Sequence, residues 1–159
     1  MAGHKKKFIV KIYNKALEDE RKYKVPAAIT TAQACLESKY GKKVPKDINT
    51  GVYSYNLFGI KATRMDVKKG RYVVCSTHEE RNGKLEKEID YFRAYKSYEG
   101  SIKAHTKLLK NRYMPSQSSI KRNGKIEAWC NSLQKKGYAT DSSYAKQLKS
   151  IIFDTWDLK

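Results

Sequence analysis

Apolar side chains recur at helical spacing near the start of the chain, and charged side chains occupy the opposite side of the same segment. The apolar positions are Phe8, Ile9, Ile12, Tyr13, Ala16 and Leu17. A stripe of this kind covers one face of a helix, which then packs on a core. The pattern predicts a first helix over residues 6–23.

A second helix is predicted between Pro26 and Gly41. Proline suits the first helical position because its φ is already helical and its missing N–H needs no partner there, and glycine suits the left-handed residue that ends a helix. Helical spacing relates the positions Ile29, Ala32, Gln33 and Leu36. Glu37 lies one turn beyond Gln33, in the last turn of this predicted helix.

The position of Glu37 has a chemical meaning. The negative end of the helix dipole lies at the C-terminus, so a half-buried carboxyl group there tends to keep its proton. A protonated carboxyl group is what a general acid requires. Most single glutamates near helix ends are solvated surface residues, so the helix alone leaves both interpretations open.

A β-hairpin is predicted in the middle of the chain. β-Branched and aromatic residues between Arg71 and Glu80 indicate one strand, and residues 85–95 can return as the second. Asn82-Gly83 between them is the strongest signal for a two-residue hairpin turn. Such a turn places Glu79 opposite another glutamate, so one carboxyl group has a raised pKa or the register differs.

Three more helices are predicted after the hairpin. Ser97 caps the first, and residues 121–136 form the second, with Trp129 on its apolar stripe as a core residue rather than a sugar platform. Asp141 caps the last helix, and Trp156 closes the chain. Four apolar or aromatic positions of this last helix pack inward: Tyr144, Leu148, Ile151 and Ile152. The fold class is therefore α+β, mainly α.

The length of 159 residues suits one domain, residues 1–159, and the charge predicts its kind of partner. The 34 Lys and Arg against 16 Asp and Glu give a net charge of +18, which favours association with a polyanion. Nucleic acid, an anionic membrane and the anionic bacterial wall all qualify. The lysines are spread over every segment and no recognised nucleic-acid motif is present. Twelve tyrosines available for stacking keep a basic nucleic-acid-binding module as an alternative.

Three cysteines, Cys35, Cys75 and Cys130, lie in three separate predicted elements. This pattern predicts buried small hydrophobes rather than a disulfide framework. No spacing of cysteine and histidine indicates a metal site, so neither a metal nor another cofactor is predicted. The basic run at residues 5–7 precedes too few apolar residues for a signal peptide, and no stretch is long enough to cross a membrane.

Five short segments together resemble one family. They are AQACLESKYG (residues 32–41), YNLFGIK (55–61), THE (77–79), FRAY (92–95) and GYATD (137–141). In this order they are similar to the signatures of glycoside hydrolase family 73, the peptidoglycan-cleaving endo-β-N-acetylglucosaminidases, although Ser142 stands where proline is usual. The resemblance implies a lysozyme-like fold. A small β-hairpin then forms one wall of a groove, and the helix that bears Glu37 forms its floor.

The resemblance also implies which residues carry the chemistry. Glu37 is the general acid, and Glu79, in the T-x-E motif, is the second carboxylate. The neighbouring Glu80 competes for that role, and a solvated strand glutamate is the ordinary alternative for either residue.

The same resemblance implies three substrate contacts. Asn56 and Phe58 lie nearest to the sugar, while Leu57 and Ile60 of the same motif are core residues. Tyr138 positions the substrate; its alternative is a buried corner tyrosine whose hydroxyl group has a backbone partner.

The implied reaction is hydrolysis of β-1,4 glycosidic bonds in peptidoglycan. The second catalytic group is either Glu79 or the 2-acetamido group of the substrate itself. A muramidase or lytic transglycosylase of the same fold is the alternative within enzymes. The expected partners are peptidoglycan glycan strands and the anionic wall, with no nucleic acid and no membrane insertion. We expect a monomer that acts outside the cell or in the cell wall, as a domain of a larger exported protein or a phage-delivered enzyme.

Overall fold

The computed structural model describes residues 2–157, apart from the side chains of Ala2, Glu79, Thr155, Trp156 and Asp157. Its helices are α1 (Ala2–Tyr23), α2 (Ala27–Ser38), α3 (Arg64–Lys68), α4 (Tyr98–Arg112), α5 (Gln117–Asn123), α6 (Lys125–Lys135) and α7 (Tyr144–Asp157). Strands β1 (Tyr72–Arg81) and β2 (Lys84–Arg93) form a hairpin between α3 and α4. The predicted mainly helical α+β class is confirmed.

Helix α2 lies at the centre of the fold, because ten of its twelve residues are buried. On one side its residues join the core that contains Trp129, Leu133 and Leu148 of the C-terminal helices. On another side they join the core that contains Ile12 of α1 and Ile102 of α4. A helix that is apolar nearly all round is stable only when neighbours cover it on every side.

The two ends of α2 differ from the prediction by one and two residues. Pro26 is the N-cap instead of the first helical residue, and the Ala27 N–H donates to the Glu20 carboxylate of α1 at 3.1 Å. The helix ends at Ser38, and Lys39 has a left-handed φ of +48°. The glycine at position 41 also has a positive φ, but it follows the helix end rather than forming it.

The hairpin has the predicted two-residue turn at Asn82 and Gly83. The register pairs Arg81 with Lys84 and Glu79 with Glu86, so the predicted opposition of two glutamates is confirmed. Val73 at the base of β1 is fully buried, whereas most of β2 near the turn is exposed. The base of the hairpin therefore packs on the body and the turn projects from it.

Two segments attach the hairpin base to the helical body. Lys61 pairs with Phe92 in an isolated antiparallel bridge. In the loop before that segment, the Asp47 carboxylate accepts hydrogen bonds from the backbone N–H groups of Asn49, Thr50 and Val74. These contacts fix where β1 and β2 leave the body.

The C-terminal helices follow the prediction except in the helix predicted for residues 121–136, which begins earlier, at Gln117, and is divided at a glycine. Gly124, with φ +85° and ψ 160°, divides the predicted helix 121–136 into α5 and α6. Trp129 is 1% exposed and belongs to the core, as predicted. The prediction for Trp156 lies outside the described side chains. None of the helices in the described residues is both long and apolar enough to cross a membrane.

Candidate functional site

Glu37 lies in the last turn of α2. The residue as a whole is exposed, but its carboxyl group is partly buried among protein atoms, and this desolvation raises the pKa of the carboxyl group. The Tyr144 hydroxyl group donates to Glu37 Oε1 at 3.4 Å, and this bond lowers the same pKa by a smaller amount. The carboxyl group therefore holds its proton to higher pH than an ordinary surface glutamate.

A chain of buried polar side chains leads to this carboxyl group. His105 Nε2 of α4 lies 2.7 Å from Gln33 Oε1. Gln33 Nε2 lies 2.9 Å from the hydroxyl oxygen of Tyr144, which contacts Glu37. Gln33, His105 and Tyr144 are at most 3% exposed. Residues from α2, α4 and α7 thus converge on one acidic group.

Aromatic rings line the same region. Tyr138 is half-buried and stacks on Tyr144 at a ring-centroid distance of 5.6 Å, and it meets the edges of His105 and Tyr113. Burial, followed by the nearby Tyr144 and Glu37 groups, raises the pKa of the Tyr138 hydroxyl group. That hydroxyl group stays neutral at physiological pH and is suited to hydrogen bonding rather than proton transfer.

Asn56 is 1% exposed, and its amide bonds only to backbone in the structure. Its nitrogen donates to the carbonyl groups of Ile60 and Arg93, and its oxygen accepts from the N–H groups of Phe58 and Ile60. The contact of Asn56 with the sugar stays a prediction; in this structure all polar atoms of the side chain bond to backbone groups. These bonds hold the end of β2 against the loop.

Phe58 is 4% exposed and stacks face to face on His105 at 3.7 Å between ring centroids. It belongs to the core around α1 and α2. The lining role of Phe58 stays a prediction as well; in this structure the ring packs against His105 and supports it. Leu57 of the same motif is fully buried, as predicted.

Positions 79 and 80 are neighbours on β1, and consecutive positions of a strand belong to opposite faces of the sheet. Position 79 is in phase with the buried Val73, whereas position 80 is in phase with Tyr72, whose ring stacks on the exposed Tyr91. Glu80 is exposed. The side chain of Glu79 lies outside the described residues.

A metal site is not formed by the described residues, in which no group of three or more His, Cys, Asp or Glu side chains has the required proximity. The thiols of Cys35 and Cys130 are buried, and desolvation raises the pKa of each, to about 12 and about 11. A thiol with so high a pKa is a poor nucleophile and a poor metal ligand.

Three residues of this region were not predicted as site residues. The sequence places Gln33 one turn before Glu37 on the same face, and His105 on the apolar face that Ile102 and Leu109 define. A polar side chain on a buried face needs a partner, and this was the available signal. The sequence does not say which partner this is. Tyr144, the partner of Gln33, lies 111 residues further along the chain, so tertiary packing decides the pairing.

Known proteins are similar to this chain both in sequence, over most of its length, and in fold. The family model "Glucosaminidase: Mannosyl-glycoprotein endo-beta-N-acetylglucosaminidase" matches residues 13–155. The peptidoglycan hydrolase FlgJ of Salmonella typhimurium is 34% identical over 152 residues, covering 96% of this chain and 46% of FlgJ. The exo-glucosaminidase LytG of Bacillus subtilis is 32% identical over 144 residues, covering 86% of this chain and 46% of LytG.

Solved structures agree with these matches. The C-terminally truncated glycoside hydrolase domain of Salmonella typhimurium FlgJ superimposes with a TM-score of 0.78 at 32% identity, covering 98% of this chain and 99% of that domain. The catalytic domain of the Listeria monocytogenes autolysin Auto superimposes with a TM-score of 0.71 at 28% identity, covering 98% of this chain and 85% of that one. The chain spans about half the length of the two relatives, FlgJ and LytG.

Proposed function

This chain belongs to the glucosaminidase family, and from that membership we propose that it hydrolyses β-1,4 glycosidic bonds of peptidoglycan with Glu37 as the general acid. The observation that carries the proposal is the Glu37 carboxyl group itself. It lies at a helix C-terminus with its pKa raised by desolvation, and it is exposed enough for a substrate to reach it. Glycoside hydrolysis needs such a protonated carboxyl group on the leaving-group oxygen.

The second catalytic group in this proposal is Glu79. Strand alternation supports position 79 over position 80, because position 79 is in phase with the fully buried Val73 at the base of β1. Glu79 then acts as general base or stabilises charge at the anomeric carbon, or it orients the 2-acetamido group when that group attacks.

Tyr138 is the proposed substrate-positioning residue. Its ring packs on Tyr144, the residue that contacts Glu37, so its hydroxyl group is close to the reacting carboxyl group. The proposed substrate is the peptidoglycan glycan strand, and the wall is the proposed place of action.

Replacement of Glu37 by glutamine tests the acid assignment. Glu37→Gln removes the proton and keeps the shape, so hydrolysis of purified peptidoglycan should fall by about 10²-fold or more. Glu18→Gln, the same change at an exposed position of α1, is the matched control and should retain full activity. Activity of Glu37→Gln within tenfold of the unmodified protein would contradict the assignment, provided that urea unfolding shows the variant folded.

The hairpin carboxylates are tested by the same replacement. Glu79→Gln should lose less activity than Glu37→Gln if the acetamido group attacks, and Glu80→Gln should lose less again. Equal losses of activity at positions 79 and 80 would contradict the assignment of Glu79 as the second carboxylate.

The bond that is cut is decided by mass spectrometry of the released reducing ends. An N-acetylglucosamine reducing end supports the proposal, while an N-acetylmuramic acid end or an anhydro-muramic end would identify a muramidase or a lytic transglycosylase. Long fragments early in digestion indicate endo cleavage, and single disaccharides from chain ends indicate exo cleavage.

A further inference from the structure

The hydrogen-bond chain from His105 to Glu37 determines where each proton lies. Gln33 offers one oxygen, which only accepts, and one NH₂ group, which only donates. The oxygen faces His105 Nε2 and the nitrogen faces the Tyr144 hydroxyl oxygen. His105 Nε2 therefore carries a proton, and Tyr144, which accepts from Gln33, has its own proton free for Glu37.

We propose that His105 is a positioning residue for the general acid: it fixes the amide of Gln33 and thereby directs the hydroxyl proton of Tyr144 onto the Glu37 carboxyl group. The inference rests on the proposed role of Glu37. It assigns a function to two buried residues, His105 and Gln33, which reach Glu37 only through Tyr144.

The second ring nitrogen of His105 selects this arrangement. His105 Nδ1 is buried and has no hydrogen-bond partner among the described residues. A proton on Nδ1 would be a buried donor without an acceptor, which is rarer and more costly than a bare acceptor. Complete burial also disfavours the doubly protonated ring, since it lowers the pKa of His105 to about 3. The neutral Nε2–H form is what remains.

The reversed arrangement shows why this matters. If the Gln33 amide turned over, its NH₂ group would donate to His105 and its oxygen would accept from Tyr144. The hydroxyl proton of Tyr144 would then point away from Glu37. The reversal requires the proton of His105 to move to Nδ1, so the histidine tautomer and the bond to Glu37 change together.

Neighbouring rings hold His105 in place. Phe58 stacks on one face of the imidazole with the planes 4° apart, and Tyr138 meets it edge-on. A tilt of the ring out of this plane would break both contacts. The Tyr144–Glu37 distance of 3.4 Å is longer than an ordinary O–H···O bond, as is common for catalytic contacts before substrate binds.

The pKa of Glu37 reports the state of this chain. A hydrogen bond donated to a carboxylate favours the ionised form, so loss of the Tyr144 proton should raise the pKa. Among the described side chains, the other titratable group that interacts with Glu37 is Tyr138, and Cys130 interacts with Tyr144. Burial raises the pKa of all three of these groups, so they remain neutral between pH 4 and 8.

The test measures the Glu37 pKa by ¹³C NMR of the glutamate carboxyl carbons, in the absence of substrate. Tyr144→Phe and His105→Phe should each raise it by about one pH unit, because a hydrogen bond to a charged group contributes about that much. His105→Gln keeps a donor near the Nε2 position and should restore the unmodified value. The alkaline limb of the kcat/KM profile should move to higher pH in the same variants.

Additivity distinguishes a relay from independent effects. His105→Phe in the Tyr144→Phe background should cause no further shift, because the proton it directs is already absent. Tyr113→Phe, the same change on another tyrosine that packs on Tyr138, is the matched control and should leave the Glu37 pKa unchanged.

Long-range ¹H–¹⁵N spectra of the histidine rings test the tautomer directly. The His105 ring should carry its proton on Nε2 and should not titrate between pH 8 and 5. An Nδ1–H ring, or an unchanged Glu37 pKa in a folded His105→Phe variant, would overturn the inference. The two NMR readouts, the Glu37 pKa and the His105 tautomer, do not use activity, so a failure of the Glu37 assignment would appear separately, as an active Glu37→Gln variant.

Discussion

At the scale of single residues, the Glu37 carboxyl group is subject to two opposing effects. Desolvation raises its pKa and the Tyr144 hydroxyl group lowers it. A carboxyl group that was desolvated but had no hydrogen-bond donor beside it would hold its proton. It would be a poor proton donor, since the resulting carboxylate would lack stabilisation. The hydrogen bond supplies that stabilisation after the proton has left. Both requirements of a general acid are met by groups that already surround Glu37.

Asn56 provides a test of the difference between structural and substrate contacts. Asn56→Ala leaves two backbone carbonyl and two backbone N–H groups without their side-chain partner. We expect a loss of about 2–4 kcal/mol in the free energy of unfolding, measured in urea, because each buried unsatisfied group is costly.

Asn131→Ala is the matched control for this prediction, because Asn131 is exposed on α6 and should change stability little. A folded Asn56→Ala variant with unchanged stability and a large loss of activity would support the prediction that Asn56 contacts the sugar.

At the scale of elements, three consecutive residues with left-handed backbone conformations follow the end of α2, shortly after the proposed acid. Lys39, Tyr40 and Gly41 have consecutive positive φ values of +48°, +57° and +82°. Such conformations cost free energy in residues other than glycine. Packing of the surrounding residues must offset this free-energy cost. Phe8 of α1 lies directly over Gly41.

Gly41→Ala should therefore destabilise the protein more than an ordinary glycine replacement. A Cβ atom at this position would lie 2.8 Å from two ring atoms of Phe8, in addition to the strain of a positive φ. Gly70→Ala carries the same kind of φ, +72°, with nothing within 4 Å of its Cβ, and is the matched control. We expect a loss of about 1–2 kcal/mol for Gly70→Ala and more for Gly41→Ala, measured by urea unfolding.

The Phe8→Leu background completes this comparison. If the excess loss at Gly41 comes from the ring of Phe8, it should shrink in that background. Equal losses at Gly41 and Gly70 would show that φ alone, and not the close packing of α1, requires a glycine after α2.

The hairpin depends on Asp47 for the attachment of β1. Hydrogen bonds from the N–H groups of Val74, Thr50 and Asn49 lower the pKa of the Asp47 carboxyl group to about 2. Its folded pKa is below its unfolded value near 3.8, so its contribution to stability is complete above about pH 4 and is lost as the pH falls towards 2.

Hydrogen exchange at the Val74 amide measures this contact, because that N–H donates to Asp47. Protection should decrease between about pH 4 and pH 2, after correction for the intrinsic exchange rate, and Asp47→Asn should remove this dependence. Asp141→Asn, at the start of α7, is the control and should leave the Val74 profile unchanged. If protection of the Val74 amide in the unmodified protein stays constant between pH 4 and pH 2, the assigned role of Asp47 is contradicted.

At the scale of the whole molecule, the net charge of +18 concerns where the protein binds rather than how it reacts. We expect lysis of intact cells to fall steeply with salt, because the Debye length shortens from about 10 Å at 0.1 M to about 3 Å at 1 M. An uncharged soluble glycan should be cleaved at nearly the same rate over that range, since Glu37, the proposed acid, would act at contact distance. Turnover of both substrates in parallel assays checks this.

A parallel loss on both substrates would show that salt acts on folding or on the catalytic groups. Tight, salt-sensitive binding to DNA with no hydrolysis of peptidoglycan at any ionic strength would instead favour the nucleic-acid-binding alternative. The family membership would then reflect a shared fold without a shared activity.

The sequence by itself determined the features that depend on neighbours in the chain. Helical spacing predicted α1, α2 and α4, and Asn82-Gly83 predicted the hairpin and its register. These patterns are local, since turn chemistry and side-chain periodicity act within a few residues. The break at Gly124 was not predicted, although it is a local feature. It depends on a backbone conformation that the apolar stripe of the predicted helix does not reveal.

Tertiary structure decided the partners of buried polar groups. Asn56 and Phe58 match a motif, but whether they face a groove or the interior depends on how β2 and α4 approach, and both proved buried. His105, Gln33 and Tyr144 lie far apart in sequence and meet only through packing around α2. A buried polar side chain must find a partner, but its sequence position does not say which one, because many partners satisfy the same requirement.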